Sequence, residues 1–578
     1  MANMQKCLWL SSISLLLMVC SAACGPACQK ADWVLTGGKI FTVDDENPWA
    51  EAVAVKDGKF VYVGDDAGAA KFASDATRKS DLGGRLVIPG IVDSHTHPAR
   101  INLAPYAAPM DETSKEDILA AVKEYAESNP ELEWVRMCCW PVDLYGTSGP
   151  NKNDLDRIVP DRPVWLTSSA GHSIWVNSKA LEVLGVDRDT PDPLPGVAVY
   201  VRDEDGETTG WIKEGAYRIF GEDYFEVDAE AHEEGTTAML DYMSRHGVTT
   251  VYDGGNLLHN DRVYAFMAKL EREGRLPFRY EGTYPIFVPR QKDTAIAELL
   301  RLRDAYGGDR LRFNTMKIYM DGVNENRTGA MLEPYEDDPG NRGNTMMTTD
   351  ELRDFLLELN EEKLDLHLHT VGDRAVRTVL DAVEAVRDSA GGELYPRVTV
   401  CHLDIIDPPD YARIKELGVV CNYTPWWHGV NYDDTVKHAL GEERYARTLI
   451  LKPLFDMGAV VTFGSDDWDL EYMSPFLGMQ IGHTRQYPEE WEEPGFDIEE
   501  IRGPASEQLD LELMIRGYTI NGAYQLRMED EIGSIEAGKL ADLVVLDENL
   551  FEMDRYEIHK IEPAAVMMEG ELLHGALP

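Results

Sequence analysis

The chain has 578 residues, with 103 Asp and Glu against 55 Lys and Arg and a formal net charge of −48. Such an acidic chain is not expected to bind nucleic acid or anionic lipid, because both attract clusters of Lys and Arg. The hydrophobic fraction of 44% supports a large core and excludes wholesale disorder. Eight cysteines are too few for a disulfide scaffold, and those beyond residue 28 form no CxxC pair, so we expect no cysteine zinc site.

The N-terminus is typical of an export signal. Lys6 precedes the apolar run 8–19, which has the length of a signal h-region and is too short to span a bilayer. Small residues then precede Cys24, as at a bacterial lipoprotein cleavage site. We therefore expect residues 1–23 to be a signal peptide, Cys24 to be a lipid anchor, and the protein to be periplasmic or membrane-anchored. An ordinary cleaved signal without a lipid is the alternative.

Short apolar strands with Gly-Gly and Asp-Gly turns occupy both ends of the remaining chain. One group covers residues 32–88 and the other covers residues 530–578. Because chain termini often lie close together, these two groups are predicted to form one small β domain.

Between these ends, apolar strands alternate with helical segments, as in TTDELRDFLLELNEEK, which begins with a Thr cap. Polar residues cluster where each strand ends. Repeated βα units with this pattern favour an α/β barrel over residues 89–529 rather than an open sheet. Residues from about 102 to 232 do not follow the rhythm and are predicted to be an insertion after the first barrel strand.

The segment LVIPGIVDSHTHP carries the strongest chemical signal. His95 and His97 are two residues apart at the end of a strand, so both side chains face the same side. Two neutral imidazoles that converge in this way suit a metal such as Zn²⁺.

Other strands place polar residues in equivalent positions. Taken alone, a strand-end His is usually a core or rim residue, a mid-strand Lys is usually a packed side chain, and a Ser-Asp is usually a turn. Their convergence on strand ends is difficult to explain by chance. The residues are Lys317, His369, His402 and Asp466.

Several long motifs in the same order resemble the amidohydrolase superfamily, specifically the family-3 branch that includes N-substituted formamide deformylase. The resemblance runs from about Trp33 to the C-terminus. The segments that carry it are PGIVDSHTHP, DRPVWLTSSAGHSIWVNSKAL, MKIYMDG, HTVGDRA, CHLDII, GSDD, YTINGAYQL and IGSIEAGKLADLVVLD.

The resemblance implies a distorted (β/α)₈ barrel with a β-sandwich built from both chain ends. It also implies a site for one or two divalent metal ions, expected to be zinc. Lys317 matches a lysine that is carboxylated and bridges two metals in binuclear members, and Asp466 matches an aspartate that binds metal and transfers protons. The implied ligands are His95, His97, Lys317, His369, His402 and Asp466.

Three residues are candidates for substrate contact. His172, in the segment AGHSIW, stands where the family carries an Asp-Gly-His motif. Tyr423 and Trp468 lie near strand ends, where aromatic side chains could line a pocket. Core packing is the alternative for each. His367, two residues before His369, is interpreted as a packed residue deeper in the barrel.

These observations predict an exported, metal-dependent hydrolase of non-peptide carbon–nitrogen bonds in small-molecule amides, N-acyl or N-formyl compounds. Ester hydrolysis, decarboxylation or isomerisation could use the same site, since a fold does not fix the leaving group. The alternative from another class is an exported, non-catalytic binding lipoprotein. The sequence leaves open whether the chain forms a homodimer.

Overall fold

The computed structural model describes residues 30–99, 107–110, 114–224, 228–256, 260–390, 394–429, 435–467, 470–491 and 500–577. The predicted signal peptide over 1–23, the lipid site at Cys24 and the candidate Trp468 lie outside these residues. Within the described ranges, none of the helices combines the length and apolar character needed to cross a bilayer.

The N-terminal part is a run of short strands with one helical turn. Its elements are β1 (Trp33–Thr36), β2 (Lys39–Phe41), β3 (Trp49–Ala50), β4 (Ala52–Lys56), β5 (Lys59–Gly64), α1 (Asp66–Ala69), β6 (Arg78–Asp81) and β7 (Leu86–Pro89). Four of these strands form a sheet in the order β5-β4-β1-β6.

The first barrel strand, β8 (Ile91–Thr96), is followed by an inserted six-stranded sheet in the order β13-β14-β12-β11-β10-β9. The insertion consists of β9 (Ala108–Pro109), α2 (Lys115–Ser128), β10 (Val135–Trp140), α3 (Lys152–Ile158), β11 (Val164–Ser168), β12 (Ser173–Val176), α4 (Ser178–Leu184), β13 (Tyr200–Arg202), β14 (Thr208–Lys213), α5 (Gly215–Arg218) and α6 (Gly221–Tyr224). It has a separate apolar core centred on Trp140, Trp175 and Trp211. The strand before the SSAGH segment therefore belongs to the insertion and not to the barrel.

The rest of the barrel alternates strands and helices. These are α7 (Ala229–Arg245), β15 (Val248–Asp253), α8 (Asn260–Arg272), β16 (Arg279–Glu281), β17 (Pro285–Ile286), α9 (Lys292–Tyr306), β18 (Leu311–Arg312), β19 (Thr315–Tyr319), α10 (Thr349–Glu362), β20 (Asp365–Thr370), α11 (Asp373–Ala390), β21 (Val398–His402), α12 (Asp410–Leu417), β22 (Val420–Tyr423), α13 (Thr435–Tyr445), α14 (Lys452–Asp456) and β23 (Val461–Phe463). The predicted Thr cap is present, since Thr348 accepts from the backbone N–H of Glu351 and Glu351 accepts from that of Thr348.

These strands pair in parallel and close on themselves. One sheet has the order β18-β16-β15-β8, and the other has the order β17-β19-β20-β21-β22-β23. The segment 279–286 places β16 in the first sheet and β17 in the second, and the segment 311–319 places β18 in the first and β19 in the second. The first and last barrel strands, β8 and β23, meet at the remaining junction. There Ser94 Oγ donates to the carbonyl of Phe463 over 2.7 Å, and the Asp466 N–H donates to the carbonyl of His95 over 2.8 Å. The predicted (β/α)₈ barrel is confirmed, and its carboxyl-end loops gather on one face.

The C-terminal elements return to the N-terminal strands. They are α15 (Pro475–Thr484), α16 (Leu511–Gly517), α17 (Ile520–Gln525), β24 (Leu543–Leu546), β25 (Pro563–Met568) and β26 (Glu571–Gly575). A mixed sheet in the order β26-β25-β24-β7-β2-β3 combines both chain ends. Apolar side chains from both ends, such as Leu35, Val53, Leu543 and Met567, form one core. The composite β-sandwich is thus confirmed as a fold, while its exact residue bounds stay a prediction.

Candidate metal centre

The carboxyl ends of the barrel strands bring the predicted ligands to one place. Strands β8, β19, β20 and β21 supply four of them, the fifth, His97, directly follows β8, and the sixth follows β23. The first five are buried, and Asp466 has a side chain that is 10% exposed. The side chains that converge are those of His95, His97, Lys317, His369, His402 and Asp466.

Three of these residues form a compact donor group. Asp466 Oδ1 lies 3.1 Å from His97 Nε2 and 3.5 Å from His95 Nε2. His97 Nδ1 lies 3.0 Å from the carbonyl of Gly255, which accepts its proton and leaves Nε2 free to bind a metal. All three ligand atoms lie within 4.8 Å of one another.

His369 and His402 stand on the other side of Asp466. Their rings are 4.5 Å apart, and His402 Nδ1 lies 3.3 Å from Asp466 Oδ2. These two atoms are not aligned for a hydrogen bond. The buried His402 Nδ1 therefore has no hydrogen-bond partner among the described residues. A buried imidazole nitrogen of this kind is suited to a metal ion.

Asp321, just beyond β19, orients His369. Its carboxylate accepts the backbone N–H groups of Ala330, Val371 and Gly372 over 2.9–3.0 Å and lies 3.3 Å from His369 Nδ1. Burial raises the pKa of Asp321 to about 7 even though these donors lower it. Such a carboxylate behind a histidine fixes the tautomer of a metal ligand.

Lys317 lies within β19, fully buried below the donor group. Its Nζ is 3.4 Å from His95 Nε2 and 3.4 Å from Cys401 Sγ. Across the part of the chain that the structure describes, no ion pair includes Lys317. A free ammonium in this position would repel a divalent metal.

The donor chemistry fits a divalent metal of the zinc type. Burial lowers the pKa of His95, His369 and His402 well below the ordinary value, which keeps the imidazoles neutral. Neutral imidazole and carboxylate are the ligand forms that zinc binds.

Two of the candidate ligands have unusual backbone conformations. His402 has φ 76° and Asp466 has φ 44°, in the left-handed region that side chains other than glycine rarely adopt. His402 is the last residue of β21, and Asp466 lies in the loop after β23. Outliers of this kind persist where the surrounding structure holds them and often mark functional sites.

The donor group lines a cavity of about 490 Å³. Its walls come from the barrel loops, from the inserted segment and from the helical turn Pro425–His428. His172 of the insertion lies here, with its ring 5.6 Å from that of His369. The space suits a small organic molecule in contact with the donor group.

Comparison with known proteins identifies the family of the chain. The model of the amidohydrolase family matches residues 79–574. The chain belongs to the amidohydrolase family. It is similar to N-substituted formamide deformylase of Arthrobacter pascens, with 24% identity over 568 residues, 94% of this chain and 98% of that protein.

A plant protein and an archaeal structure extend the comparison. LONG AFTER FAR-RED 3 of Arabidopsis thaliana is 27% identical over 542 residues, covering 91% of this chain and 89% of that protein. A crystal structure of an uncharacterized metal-dependent hydrolase from Pyrococcus horikoshii OT3 has a TM-score of 0.67 at 23% identity, covering 90% of this chain and 99% of that one, and shows the same fold. The protein is therefore a metal-dependent hydrolase of small molecules that acts on carbon–nitrogen bonds.

Aromatic side chains near the metal centre of this amidohydrolase differ in whether they reach the cavity. Trp426 and Trp427 line the cavity, and the Trp427 ring stacks on that of His402 with centroids 5.3 Å apart. Tyr423 is fully buried, packs against His428 and is not among the lining residues of the cavity. Its position does not support the substrate contact predicted for it.

His172 is held by a carboxylate that the sequence did not indicate. Its Nδ1 lies 2.5 Å from Glu214 Oε2, and Glu214 also accepts from Asn326 and Thr328. Burial alone would raise the pKa of Glu214, but His172 and these donors outweigh it and lower the pKa to about 2. Because the ionised carboxylate can only accept, Nδ1 carries the proton and Nε2 remains for the cavity.

His367 lies under His95, as predicted, with Nε2 3.0 Å from His95 Nδ1 and its ring stacked on Tyr252. It also forms a second possible donor group with His95 and Cys401.

Sequence reasoning missed several residues of the cavity region. Asp321 could have been found, because it is the acidic residue of the motif MKIYMDG and lies two residues after a strand. Cys138 and Cys139 form a disulfide between neighbours, and Cys139 lines the cavity. Arg218 also lines it, and nothing in its local sequence indicated this.

Proposed function

We propose that this amidohydrolase is an exported zinc enzyme that hydrolyses the amide bond of N-acyl or N-formyl amines. The observation that carries the proposal is the donor group of His95, His97 and Asp466 in the wall of a cavity large enough for such a molecule. The similarity to a formamide deformylase supports the bond type.

Asp466 is placed to move protons in this reaction. When bound, Zn²⁺ supplies Lewis acidity toward a carbonyl oxygen and makes water more acidic. Asp466 accepts a proton from the attacking water at its carboxylate and gives it to the nitrogen of the leaving amine. Its side chain suits both steps because it is the most exposed of the six converging residues.

His172 and Glu214 act on the same substrate from the inserted segment, whose His172 lines the cavity. Glu214 stabilises a positive charge on the imidazole, as the carboxylate of a catalytic triad does. Once Nε2 has also taken a proton from solvent, His172 donates from that nitrogen to the carbonyl oxygen as negative charge develops on it. Trp426 and Trp427 exclude water from the apolar part of the substrate.

A panel assay tests the proposed reaction. The purified protein is incubated with N-formyl and N-acetyl amines, and the release of amine is measured before chelation, after chelation and after Zn²⁺ is added back. We expect turnover that chelation abolishes and Zn²⁺ restores, and no turnover by Asp466→Asn. Activity that survives complete metal removal, or no amine release across the panel, would contradict the proposal.

We further propose that Lys317 carries a carbamate. The ammonium first loses one proton to solvent. The neutral amine then attacks CO₂, an N–C bond forms as one C–O π bond of CO₂ breaks, and a second proton leaves the nitrogen for solvent. The net change turns a cation into an anion beside His95. That change removes the repulsion between a buried ammonium and metal ions and supplies oxygen ligands for a second ion.

Native mass spectrometry in bicarbonate buffer is expected to show the added mass of one CO₂, which Lys317→Met loses. An unmodified lysine in fully metal-loaded protein would exclude the carbamate.

A further inference from the structure

Arg218 closes α5 and lines the cavity of the metal centre, although it is only 9% exposed. It also borders a neighbouring cavity of about 570 Å³. Its guanidinium thus stands in a protein wall with space on two sides. A buried arginine stays protonated, since its ordinary pKa is above about 12.

The guanidinium has an unused donor. Arg218 Nη1 is buried and makes no hydrogen bond, and no ion pair within the described ranges includes this residue. Aromatic rings surround it instead, with centroids 4.4 Å away for Phe287, 5.0 Å for Tyr319 and 5.6 Å for Tyr217. These cation–π contacts and the nearby carboxylate of Glu214 offset part of the cost of burying the charge, and Nη1 remains able to donate to an anionic ligand.

The position of Arg218 sets the length of that ligand. The ring of Tyr319 is close to both the guanidinium and a candidate metal ligand, with its centroid 5.0 Å from Arg218 Cζ and 5.2 Å from the ring centroid of His369. The anion position and the metal centre are therefore neighbours of one aromatic ring. A molecule that contacts both Arg218 and the metal centre carries its negative charge only a few bonds from the carbonyl that reacts.

The other charged groups of the cavity favour one orientation of such a ligand. Arg502 also lines the wall, but its Nη1 and Nη2 donate to the carbonyl of Trp427 and to Thr448 Oγ1. The acidic side chains of Glu325 and Asp404 lie elsewhere on the wall and repel an anion that binds away from Arg218.

We propose that Arg218 binds the carboxylate of the substrate, so that the preferred substrates are N-acyl or N-formyl amino acids rather than neutral amides. This inference rests on the proposed amide hydrolysis. A carboxylate matches the planar guanidinium, and the short distance to the metal centre matches a carboxylate on the carbon next to the amide nitrogen.

A matched substrate pair tests the proposal. N-acetylphenylalanine, in both stereoisomers, is compared with N-acetyl-2-phenylethylamine, which lacks only the carboxylate. We expect the wild type to prefer one of the acids, and Arg218→Gln to lower kcat/KM for that acid roughly 100-fold while changing the neutral amide by less than about 3-fold. Arg218→Lys, which keeps the buried charge, is expected to recover only part of the preference.

The outcomes separate this inference from the proposed function. Hydrolysis of the neutral amide at least as fast as that of the acids, or equal losses on both in Arg218→Gln, would overturn the carboxylate site and leave amide hydrolysis intact. Calorimetric titration of Asp466→Asn with the same pair decides the question if no amide is hydrolysed. If Asp466→Asn binds the acid more tightly than the amide, and the double variant with Asp466→Asn and Arg218→Gln does not, the carboxylate site is supported. Equal binding of acid and amide refutes it. If Arg218→Gln does not fold, the substrate preference of the wild type and that of Arg218→Lys decide the question.

Discussion

At the scale of single residues, the chemistry depends on side chains held by second partners. Asp321 orients His369, the carbonyl of Gly255 orients His97, and Glu214 orients His172. Each partner fixes which imidazole nitrogen faces the cavity. A substitution of a partner should therefore change the reaction without removing the side chain that it holds.

Glu214→Gln tests this arrangement. The amide cannot stabilise a positive charge on His172, so we expect kcat to fall about 100-fold, within the range for a general acid–base group. Since the pKa of Glu214 is about 2, the carboxylate is charged at all ordinary assay pH values, so its own titration does not limit the wild-type activity in that range. Bound metal, measured by elemental analysis, should stay as in the wild type.

Glu207→Gln is the matched control, because Glu207 makes an exposed ion pair with Arg188 in the same inserted segment. It should leave kcat unchanged. Loss of metal together with activity in Glu214→Gln would assign Glu214 a structural role instead.

At the scale of elements, one buried ion pair joins the barrel to the β-sandwich. Arg279 of β16 contacts Asp542 over 2.5 Å and Glu569 over 2.7 Å. Asp542 precedes β24 and also accepts the backbone N–H of Glu569. Arg279 and Asp542 are each 3% exposed, so the pair is shielded from solvent.

Asp542→Ala leaves Arg279 without its most buried partner. Removing one member of a buried pair costs about 3–5 kcal/mol, so the midpoint of chemical unfolding should shift clearly to lower denaturant. Glu207→Ala, which breaks an exposed pair, should cost less than about 1 kcal/mol. Equal effects of the two substitutions on the unfolding midpoint, followed by circular dichroism, would contradict this account.

At the scale of the whole molecule, the two chain ends depend on each other. Strand β24 lies in the middle of its sheet, with β25 on one side and β7 on the other. The next strand after β7 is β8, which contains His95 and ends directly before His97. The C-terminal strands therefore support the start of the barrel.

Deletion of residues 543–578 should prevent folding. The unpaired edge of β7 and the apolar core shared by both ends would be exposed, which favours aggregation. Deletion of 571–578 is the control, because it removes only the edge strand β26. Soluble yield and circular dichroism distinguish the two, and a folded, metal-binding product of the longer deletion would refute the dependence.

Local patterns were enough to predict the fold class and the set of converging side chains. The i, i+2 spacing of His95 and His97 and the polar residues after apolar strands follow from strand geometry, and a parallel barrel brings all such strand ends to one face. The position of Tyr423 shows the limit of this reasoning, because a strand-end aromatic side chain packs into the core as readily as into a cavity.

The sequence by itself determined which residue types could bind a metal, since each belongs to a strand whose end can be recognised locally. Only the tertiary structure decided which neighbouring groups orient these side chains and which residues line the cavity where the substrate is proposed to bind. Glu214 meets His172 across 42 residues, and Arg218 comes to the metal centre from an inserted segment. Such contacts arise from the packing of segments that are distant in the chain, and no local periodicity encodes them.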